Sequence, residues 1–254
     1  MIQDAKKLAV LIDADNTQLT ALEAIMTELA KYGYITVKRA YGDWSAPTLK
    51  NWKDPLNELA IQPVQQFSYT QGKNSSDAAM IIDAMDLLYS DKFNAFALIS
   101  SDSDFTKLAT RLKESQIYVY GVGKKQTPVA FKNACDDFLY IEVLKSLDTN
   151  EEDNDSSDNQ SSRYTKQQLC QDSKLINTLR NAAEERSEDD GWALLSICGS
   201  FIKRQYPDFD PRNYGYAKLS SLIEATGLFE IKKDTVKGSS NIKIYYRDNR
   251  KYKE

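Results

Sequence analysis

The residues that could do chemistry begin in the stretch LAVLIDADNT, residues 8–17, where an apolar run passes directly into carboxylates, an amide and a hydroxyl. Asp13, Asp15 and Thr17 have the D-x-D-x-T spacing of enzymes that transfer phosphate through an aspartyl nucleophile. Asp13 together with Asn16 would instead suit a metal-dependent nuclease. Taken alone, this stretch leaves both chemistries open.

The absence of histidine narrows the chemistry of the whole chain. None of the 254 residues is a histidine, which excludes the commonest general base, the Ser-His and Cys-His nucleophile pairs and every histidine-containing metal site. Cys135, Cys170 and Cys198 lack C-x-x-C spacing and predict small buried thiols rather than a zinc site or a disulfide framework. Catalysis must therefore use carboxylates, lysines, hydroxyls or an oxygen-bound metal.

Further carboxylates follow other strand-like or turn-like segments. Asp102 and Asp104 follow the apolar run AFALISS, and Asp77 opens a helical segment after a strand that ends in FSY. Polar residues after the strands of a parallel sheet gather at one edge, so we expect these acids to converge with Asp13. Carboxylates so close repel unless they share a cation, and an all-oxygen ligand set suits Mg²⁺ or Mn²⁺.

The segments that must position these acids alternate between strand and helix patterns. Such alternation predicts an α/β domain with a largely parallel central sheet covered by helices. Asp83 and Asp86 are expected on the solvated face of the second helix. The predicted strands are LAVLID, ITVKRAYGD, PVQQFSY, AFALIS, IYVYGVG and FLYIEVL, and the predicted helices between them include LEAIMTELAKYG and SDAAMIIDAMDLLY.

An acidic segment divides the chain. Residues 148–162, DTNEEDNDSSDNQSS, have six acidic side chains and no apolar one, which predicts a disordered linker. Residues 1–147 carry 16 basic and 18 acidic side chains, net −2, whereas residues 163–254 carry 17 and 13, net +4. The mildly basic second part indicates a polyanionic partner. We expect an N-terminal domain at 1–147, a linker at 148–165 and a C-terminal domain at 166–254.

The C-terminal part has the pattern of a winged helix-turn-helix. The helical segment LINTLRNAAEERS precedes two or three further helices and a short strand pair. Trp192, Phe201 and Leu222 lie at apolar helical spacing and are expected in its core. Basic residues interleaved with tyrosines can pair with phosphates and stack on bases. The surface candidates are Tyr214, Tyr216 and Lys218, with Lys243, Tyr245, Arg247, Arg250 and Lys251 in the tail.

Three motifs, LAVLIDADNT, KNSSDAAMIIDAMDLLYS and FALISSDSDF, together resemble the NYN domain, a branch of the PIN-like nuclease group. The resemblance covers about residues 5–145 and extends to GVGKKQTPVAFKNACDDFLYIE. It implies a PIN-like three-layer fold and a ribonuclease, here expected to be an endonuclease acting on single-stranded RNA. It also implies that Asn16 lines the substrate site and that the catalytic acids Asp13, Asp77, Asp102 and Asp104 bind Mg²⁺ or Mn²⁺.

The segments GWALLSICGSFIKRQYP, FDPRNYGYAKLSSLIEA and FEIKKD resemble the OST-HTH or LOTUS domain over residues 171–248. That family is similar to winged helices, and the resemblance implies binding to RNA or to a protein partner such as a helicase. No apolar run approaches the roughly 20 residues that span a bilayer, and the N-terminus has no signal-peptide pattern. We therefore expect a cytoplasmic protein without a membrane partner.

Two alternatives stay open. The first is a non-catalytic RNA-binding or adaptor protein whose carboxylate cluster does not turn over substrate. The second is a haloacid dehalogenase-like phosphatase, since LIDADNT fits the first motif of that group with Asp13 as nucleophile. Such enzymes need a later acid pair after a strand, whereas Asp136 and Asp137 precede their strand and are expected at the opposite edge of the sheet.

Overall fold

The computed structural model describes residues 6–67, 75–152, 163–235 and 242–250, with the backbone alone at 147–152 and 235. The chain forms two compact units, residues 1–154 and 155–254. None of the helices among the described residues is both long enough and apolar enough to cross a membrane.

A six-stranded parallel sheet forms the centre of the first unit and confirms the predicted α/β architecture. The strand order is β3-β2-β1-β4-β5-β6, so the chain reverses its direction of travel across the sheet between β1 and β4. Both of these central strands are buried along almost their whole length, because helices cover both faces. The strands are β1 Lys7–Asp13, β2 Tyr34–Gly42, β3 Gln62–Gln65, β4 Ala95–Ile99, β5 Tyr118–Gly123 and β6 Asp137–Tyr140.

Helices form a layer on each face of this sheet. Apolar residues of α1, α2 and α6 pack on one face, and those of α3, α4 and α5 pack on the other. The two helices predicted by their sequences are confirmed as α1 and α3, and the other four belong to the same alternation of strands and helices. The helices are α1 Leu22–Ala30, α2 Lys53–Glu58, α3 Ser75–Tyr89, α4 Thr106–Glu114, α5 Val129–Ala134 and α6 Ile141–Glu152, with 3₁₀ turns at Leu19–Ala21, Pro47–Trp52 and Ser103–Phe105.

The end of the first unit differs from the predicted elements. FLYIEVL is strand only to Tyr140, because α6 begins at Ile141 and turns its apolar residues towards the sheet. The prediction of a disordered linker is wrong at 148–152, where α6 continues to Glu152. An established helix adds one backbone hydrogen bond per residue, which can extend it through a sequence without apolar residues. Residues 153–162 of the predicted linker lie outside the described residues.

Two smaller differences concern β3 and α3. The predicted strand PVQQFSY ends at Gln65, and its Ser68 and Tyr69 lie outside the described residues. Asp83 is not on a solvated face, because its carboxylate accepts hydrogen bonds from the guanidinium of Arg39 and from the hydroxyl of the buried Tyr41. These bonds tie α3 to β2. Asp86, farther along α3, is exposed as predicted.

Helices and a small antiparallel sheet form the second unit, as the winged-helix pattern predicts. The sheet order is β7-β9-β8, in which β8 and β9 are the predicted strand pair and the short β7 was not predicted. Tyr246 of β9 is fully buried at the centre, and its hydroxyl donates to the Leu179 carbonyl at 3.0 Å. The elements are α7 Lys166–Gln171, α8 Ser173–Arg186, β7 Ala193–Leu194, α9 Leu195–Gln205, a 3₁₀ turn at Pro211–Tyr214, α10 Leu219–Thr226, β8 Phe229–Thr235 and β9 Ile242–Asp248.

The predicted core residues of the second unit are buried to different degrees. Leu222 is fully buried, and Phe201 is half-buried against the same apolar cluster. Trp192 is half-buried, with the guanidinium of Arg247 4.6 Å from its ring centre. Among the cysteines, Cys135 and Cys198 are buried as predicted and Cys170 is exposed.

Candidate functional site

The polar residues that follow β1 and β4 meet where the strand order reverses. Ile12 pairs with Ile99 in the parallel ladder, so the next residues, Asp13 and Ser100, lie side by side. The Ser100 hydroxyl donates to Asp13 Oδ2 at 2.7 Å. A reversal of this kind opens a crevice at the carboxyl ends of the strands, where ligands of α/β sheets bind.

Asp13 is the most deeply placed acid of this edge, with 1% of its surface exposed. Besides the bond from Ser100, its Oδ2 accepts from the Asn16 side-chain amide at 2.8 Å, and its Oδ1 accepts from the Asn16 backbone N–H at 3.2 Å. Burial raises the pKa of Asp13, while the bonds from Ser100 and Asn16 act in the opposite direction. Asp13 is thus anchored within the protein by several donors.

Three other predicted acids form a group that could hold a metal. Asp77, Asp102 and Asp104 each offer a carboxylate oxygen within 4.8 Å of the others. Asp77 lies in the first turn of α3, and the other two lie in the loop after β4. The Asp104 backbone N–H donates to Asp102 Oδ1 at 2.9 Å, and the Asp102 backbone N–H donates to the Ser100 hydroxyl at 3.0 Å. The loop is therefore built to hold its two acids at a fixed spacing.

The electrostatics of this group support a cation as its ligand. The pKa of Asp77 is raised to about 6, first by burial and then by the charges of Asp13, Asp102, Asp104 and Asp15. When Asp77 loses its proton, its negative charge is repelled by the charges of the neighbouring carboxylates. A divalent cation bound between them relieves that repulsion. The oxygen-only donor set fits Mg²⁺ or Mn²⁺.

The structure thus brings three of the four predicted acids into one ligand-forming group, and Asp13 is not a member of it. Asp13 still lies close enough for its charge to raise the pKa of Asp77. Asn16 contacts Asp13 through both its backbone and its side chain, which makes it a positioning residue for that carboxylate. A direct contact of Asn16 with substrate stays a prediction.

Two hydroxyl residues hold the loops of the site together, and of these only Thr17 is identified by a sequence spacing, that of D-x-D-x-T. Ser100 links Asp13 to the loop that carries Asp102. The Thr17 hydroxyl donates to the Ile99 carbonyl at 3.3 Å and holds the loop after β1 against β4. The signal for Ser100 was its place directly after a buried apolar run, since the rule that selected the acids applies equally to a serine.

The loop after β5 places basic residues at the same edge of the sheet. The Lys124 backbone N–H donates to the Ser101 hydroxyl at 2.9 Å, which joins this loop to the acidic loop after β4. Gly123 permits the approach, because a Cβ there would lie 2.7 Å from the Ser100 carbonyl oxygen. Lys125 follows and is exposed. This loop therefore brings Lys124 and Lys125 to the same edge of the sheet as the acids.

The predicted RNA-binding residues of the second unit differ in their surroundings. Lys218 is exposed directly before α10. Tyr214 packs edge-on against Tyr164, with ring centres 5.6 Å apart, and burial raises its pKa. The Tyr216 hydroxyl donates to the Tyr164 carbonyl at 2.8 Å. Both tyrosines thus have structural contacts, and their role in substrate binding stays a prediction.

Lys243, Tyr245 and Arg247 belong to strand β9 rather than to a loose tail, and Arg250 lies in the turn that follows this strand. Arg247 of β9 donates to Glu230 of β8 at 2.7 Å, and Arg250 donates to Asp248 at 2.8 Å. These guanidinium groups therefore already stabilise the fold through ion pairs. Of the remaining candidates, Lys243 is exposed and Tyr245 half-buried on β9, while Lys251 lies outside the described residues.

Several known structures are partly similar to this chain, including the following two. A protein of unknown function, VPA0982 from Vibrio parahaemolyticus RIMD 2210633, is 18% identical over 54% of this chain and 93% of its own, with a TM-score of 0.46. The uncharacterized protein from gene locus NE0665 of Nitrosomonas europaea, solved by NMR, is 40% identical over 29% of this chain and 70% of its own, with a TM-score of 0.26. No curated protein matches the chain.

Comparison with protein families assigns both units. The OST-HTH/LOTUS domain, an RNA-binding module, matches residues 169–240. The NYN domain, a PIN-like nuclease family, matches residues 7–142 and so includes every acid of the site. Because this match covers more than half of the sequence, the chain belongs to the NYN domain family.

Proposed function

We propose that this protein is a metal-dependent ribonuclease that hydrolyses internal phosphodiester bonds of single-stranded RNA. The observation that carries the proposal is the group formed by Asp77, Asp102 and Asp104, whose oxygens lie within 4.8 Å of one another at the reversal of the strand order. The NYN assignment supplies the class of reaction, and the OST-HTH assignment supports RNA as the substrate.

Asp77, Asp102 and Asp104 are the residues that would hold Mg²⁺ or Mn²⁺. When bound, such an ion would polarise the scissile phosphate and lower the pKa of a water molecule, so that a nucleophile could form without histidine. Asp102 and Asp104 keep their spacing through the bond from the Asp104 backbone N–H. Asp13 supports the site through Ser100 and through its charge, and its service as a direct fourth ligand stays a prediction.

The geometry argues against the phosphatase alternative. An aspartyl nucleophile must present an oxygen to the phosphoryl group, but Asp13 is 1% exposed and its oxygens accept bonds from Asn16 and Ser100. Asp136 and Asp137 lie at the start of β6, and the Asp136 carboxylate accepts from the Val119 N–H. They are therefore at the edge of the parallel sheet opposite to Asp13.

We assign most of the RNA affinity to the second domain. Residues 163–254 carry a net charge of +4, whereas residues 1–147 carry −2 and place acids at the active edge. An acidic site attracts a polyanion poorly without its cation, so a basic module on the same chain raises the effective concentration of RNA at the acids. A chain shortened to residues 1–152, which keeps α6 whole, should cleave at high RNA concentration and lose activity at low concentration.

A cleavage assay on the full chain tests the proposal. With labelled single-stranded RNA and Mg²⁺ or Mn²⁺, we expect products with 5′-phosphate ends and no cleavage in EDTA. Asp102→Asn should lower the rate at least about 100-fold, roughly 2.7 kcal/mol in the barrier. The amide keeps the oxygen that accepts from the Asp104 backbone, so the loop should stay folded. Asp86→Asn, which removes an exposed carboxylate of α3, is the control.

Each alternative has its own outcome in this assay. Undiminished cleavage by Asp102→Asn, or full activity in EDTA, would contradict the proposed mechanism. Inactivity with every metal and RNA, together with tight RNA binding, would support the adaptor alternative. A phosphoaspartate trapped at Asp13 would support the phosphatase.

A further inference from the structure

A groove of about 630 Å³ opens on the β2–β3 side of the carboxylate edge. Gly42, the last residue of β2, separates it from the loop after β1. A Cβ at Gly42 would lie 2.6 Å from Leu49 Cδ1, which lines the groove, and 3.6 Å from Asp15 Oδ1, which lies in that loop. Only Gly42 therefore separates the groove from the loop that contains Asp13 to Asn16.

The lining of this groove combines apolar surface with positive charge. Trp44, Pro47 and Pro63 supply much of the apolar part. The charged residues among its described lining are Lys50 and Lys53, and both are exposed. The groove thus carries cations next to an edge whose own acids would repel a polyanion.

Trp44 is held in place from two directions. Its indole N–H donates to the Val64 carbonyl at 3.0 Å, and its backbone N–H donates to Gln65 Oε1 at 3.0 Å. Gln65 is itself fixed, because its amide donates to Asp43 at 2.9 Å. The half-buried indole is therefore ordered before any ligand binds, which lowers the entropy that binding must overcome.

A fixed aromatic face with lysines beside it has the features that bind single-stranded nucleic acid, since bases stack on the ring and cations pair with phosphates. We infer that this groove binds a nucleotide of the RNA substrate adjacent to the scissile phosphate, with its base against Trp44 and its phosphates near Lys50 and Lys53. The class of ligand rests on the proposed function. A purely apolar protein segment would make no use of the two cations or of the continuity with the acidic loop.

Photo-cross-linking of the full chain in EDTA tests this groove without requiring cleavage. A single-stranded oligoribonucleotide containing 4-thiouridine is irradiated with the protein, and cross-linked peptides are identified by mass spectrometry. We expect cross-links at Trp44 or elsewhere in residues 43–53. Lys50→Glu combined with Lys53→Glu should lower their yield about tenfold, because two phosphate contacts are lost.

The control is Lys92→Glu, which makes the charge change of one of these two substitutions at an exposed lysine before β4, at the opposite edge of the sheet. It should leave the yield unchanged. Trp44→Phe keeps an aromatic ring but loses the bond to Val64, and should lower the yield less than the lysine pair does. In Mg²⁺, the double variant Lys50→Glu/Lys53→Glu should have a KM about tenfold higher than the wild type and a similar kcat. This is the result expected when residues that bind the substrate but do not react are changed.

The outcomes separate this inference from the proposed function. Cross-links in residues 43–53 without cleavage in the presence of any metal would support RNA binding in the groove and contradict the proposed ribonuclease activity. Cleavage without such cross-links, or equal yields from the lysine pair and Lys92→Glu, would overturn the inference and leave the groove to a protein segment.

Discussion

Asp248 in the second domain and Asp77 in the first are both buried carboxylates, but their pKa values are shifted in opposite directions. In the second domain Asp248 forms an ion pair with Arg180 at 3.1 Å and another with Arg250 at 2.8 Å. Burial would raise the pKa of Asp248, but the hydrogen bonds and charge of Arg250, with the charge of Arg180, outweigh it and lower the pKa. In the first domain Asp77 is grouped with other acids, and its pKa is raised to about 6.

This difference separates an acid that stabilises a fold from one that serves a ligand. Asp83 shows that the distinction is local, because it lies on the same helix as Asp77 and is paired with Arg39. A carboxylate that lies close to other carboxylates lowers the free energy of unfolding when no cation is bound. Such groups of acids are often found at functional sites. The contrast between Asp77 and Asp248 therefore predicts opposite responses to the same substitution.

The largest expected effect is on catalysis. Asp77→Asn should lower the cleavage rate at least about 100-fold, which is roughly 2.7 kcal/mol in the barrier. The same variant should be more stable than the wild type in EDTA at pH 7.5, because a repelling charge is removed. Denaturant unfolding and the cleavage assay measure the two quantities. Asp86→Asn should change neither, and loss of both activity and stability in Asp77→Asn would contradict the comparison.

Next in size is the loss of a paired acid. Asp248→Asn leaves Arg180, whose side chain is 20% exposed, without its charged partner and should destabilise the second domain by about 2–3 kcal/mol. Hydrogen exchange of the β9 amides should speed up, with no change in β1 or β4. Asp234→Asn, in an exposed pair with Lys232, should cost at most about 0.5 kcal/mol. Equal effects of the two variants would show that the pairing of Asp248 is not structural.

The pH dependence of stability should also differ in sign between the domains. The folded-state pKa of Asp77, about 6, lies above its ordinary value of 3.8, so the folded first domain binds more protons in that window and loses stability as pH rises through it in EDTA. Asp248 has a lowered pKa, so its contribution is present above 3.8 and lost as pH falls through its folded-state value. Hydrogen exchange at several pH values measures both domains in one sample. A first-domain slope that Asp77→Asn does not reduce would contradict this assignment.

The smallest expected effect concerns RNA affinity. Lys218→Ala should weaken binding of single-stranded RNA a few-fold and reduce the slope of log K against log salt by about 0.7, the value for one phosphate contact. Fluorescence anisotropy of labelled RNA with the full chain in EDTA measures this slope. Lys92→Ala should leave it unchanged, and an unchanged slope in Lys218→Ala would remove this residue from the RNA surface.

The periodic parts of the fold could be predicted from the sequence, since the six strands and the helices α1 and α3 have clear hydrophobic patterns. Asp102 and Asp104 could be placed because they directly follow a buried strand. The hydrogen bond from Ser100 to Asp13 could not be predicted, because it depends on the register between β1 and β4. Charges that pair across elements, such as Asp83 with Arg39, are likewise invisible in a single helix. Helix α4 is only nine residues long, and its three buried residues, Leu108, Ala109 and Leu112, repeat the apolar spacing over little more than one turn.

The all-parallel sheet described above also provides attachment points for biophysical work. Every strand begins at the edge opposite the acids, so the loops there can carry a probe without touching the chemistry. Lys92→Cys in a Cys170→Ser background would place one exposed thiol before β4, since Cys135 and Cys198 are buried. A dye at that position is separated from the carboxylates by the five residues of β4, about 16 Å. Surface immobilisation through this thiol would orient the carboxylate edge of the first domain away from the support.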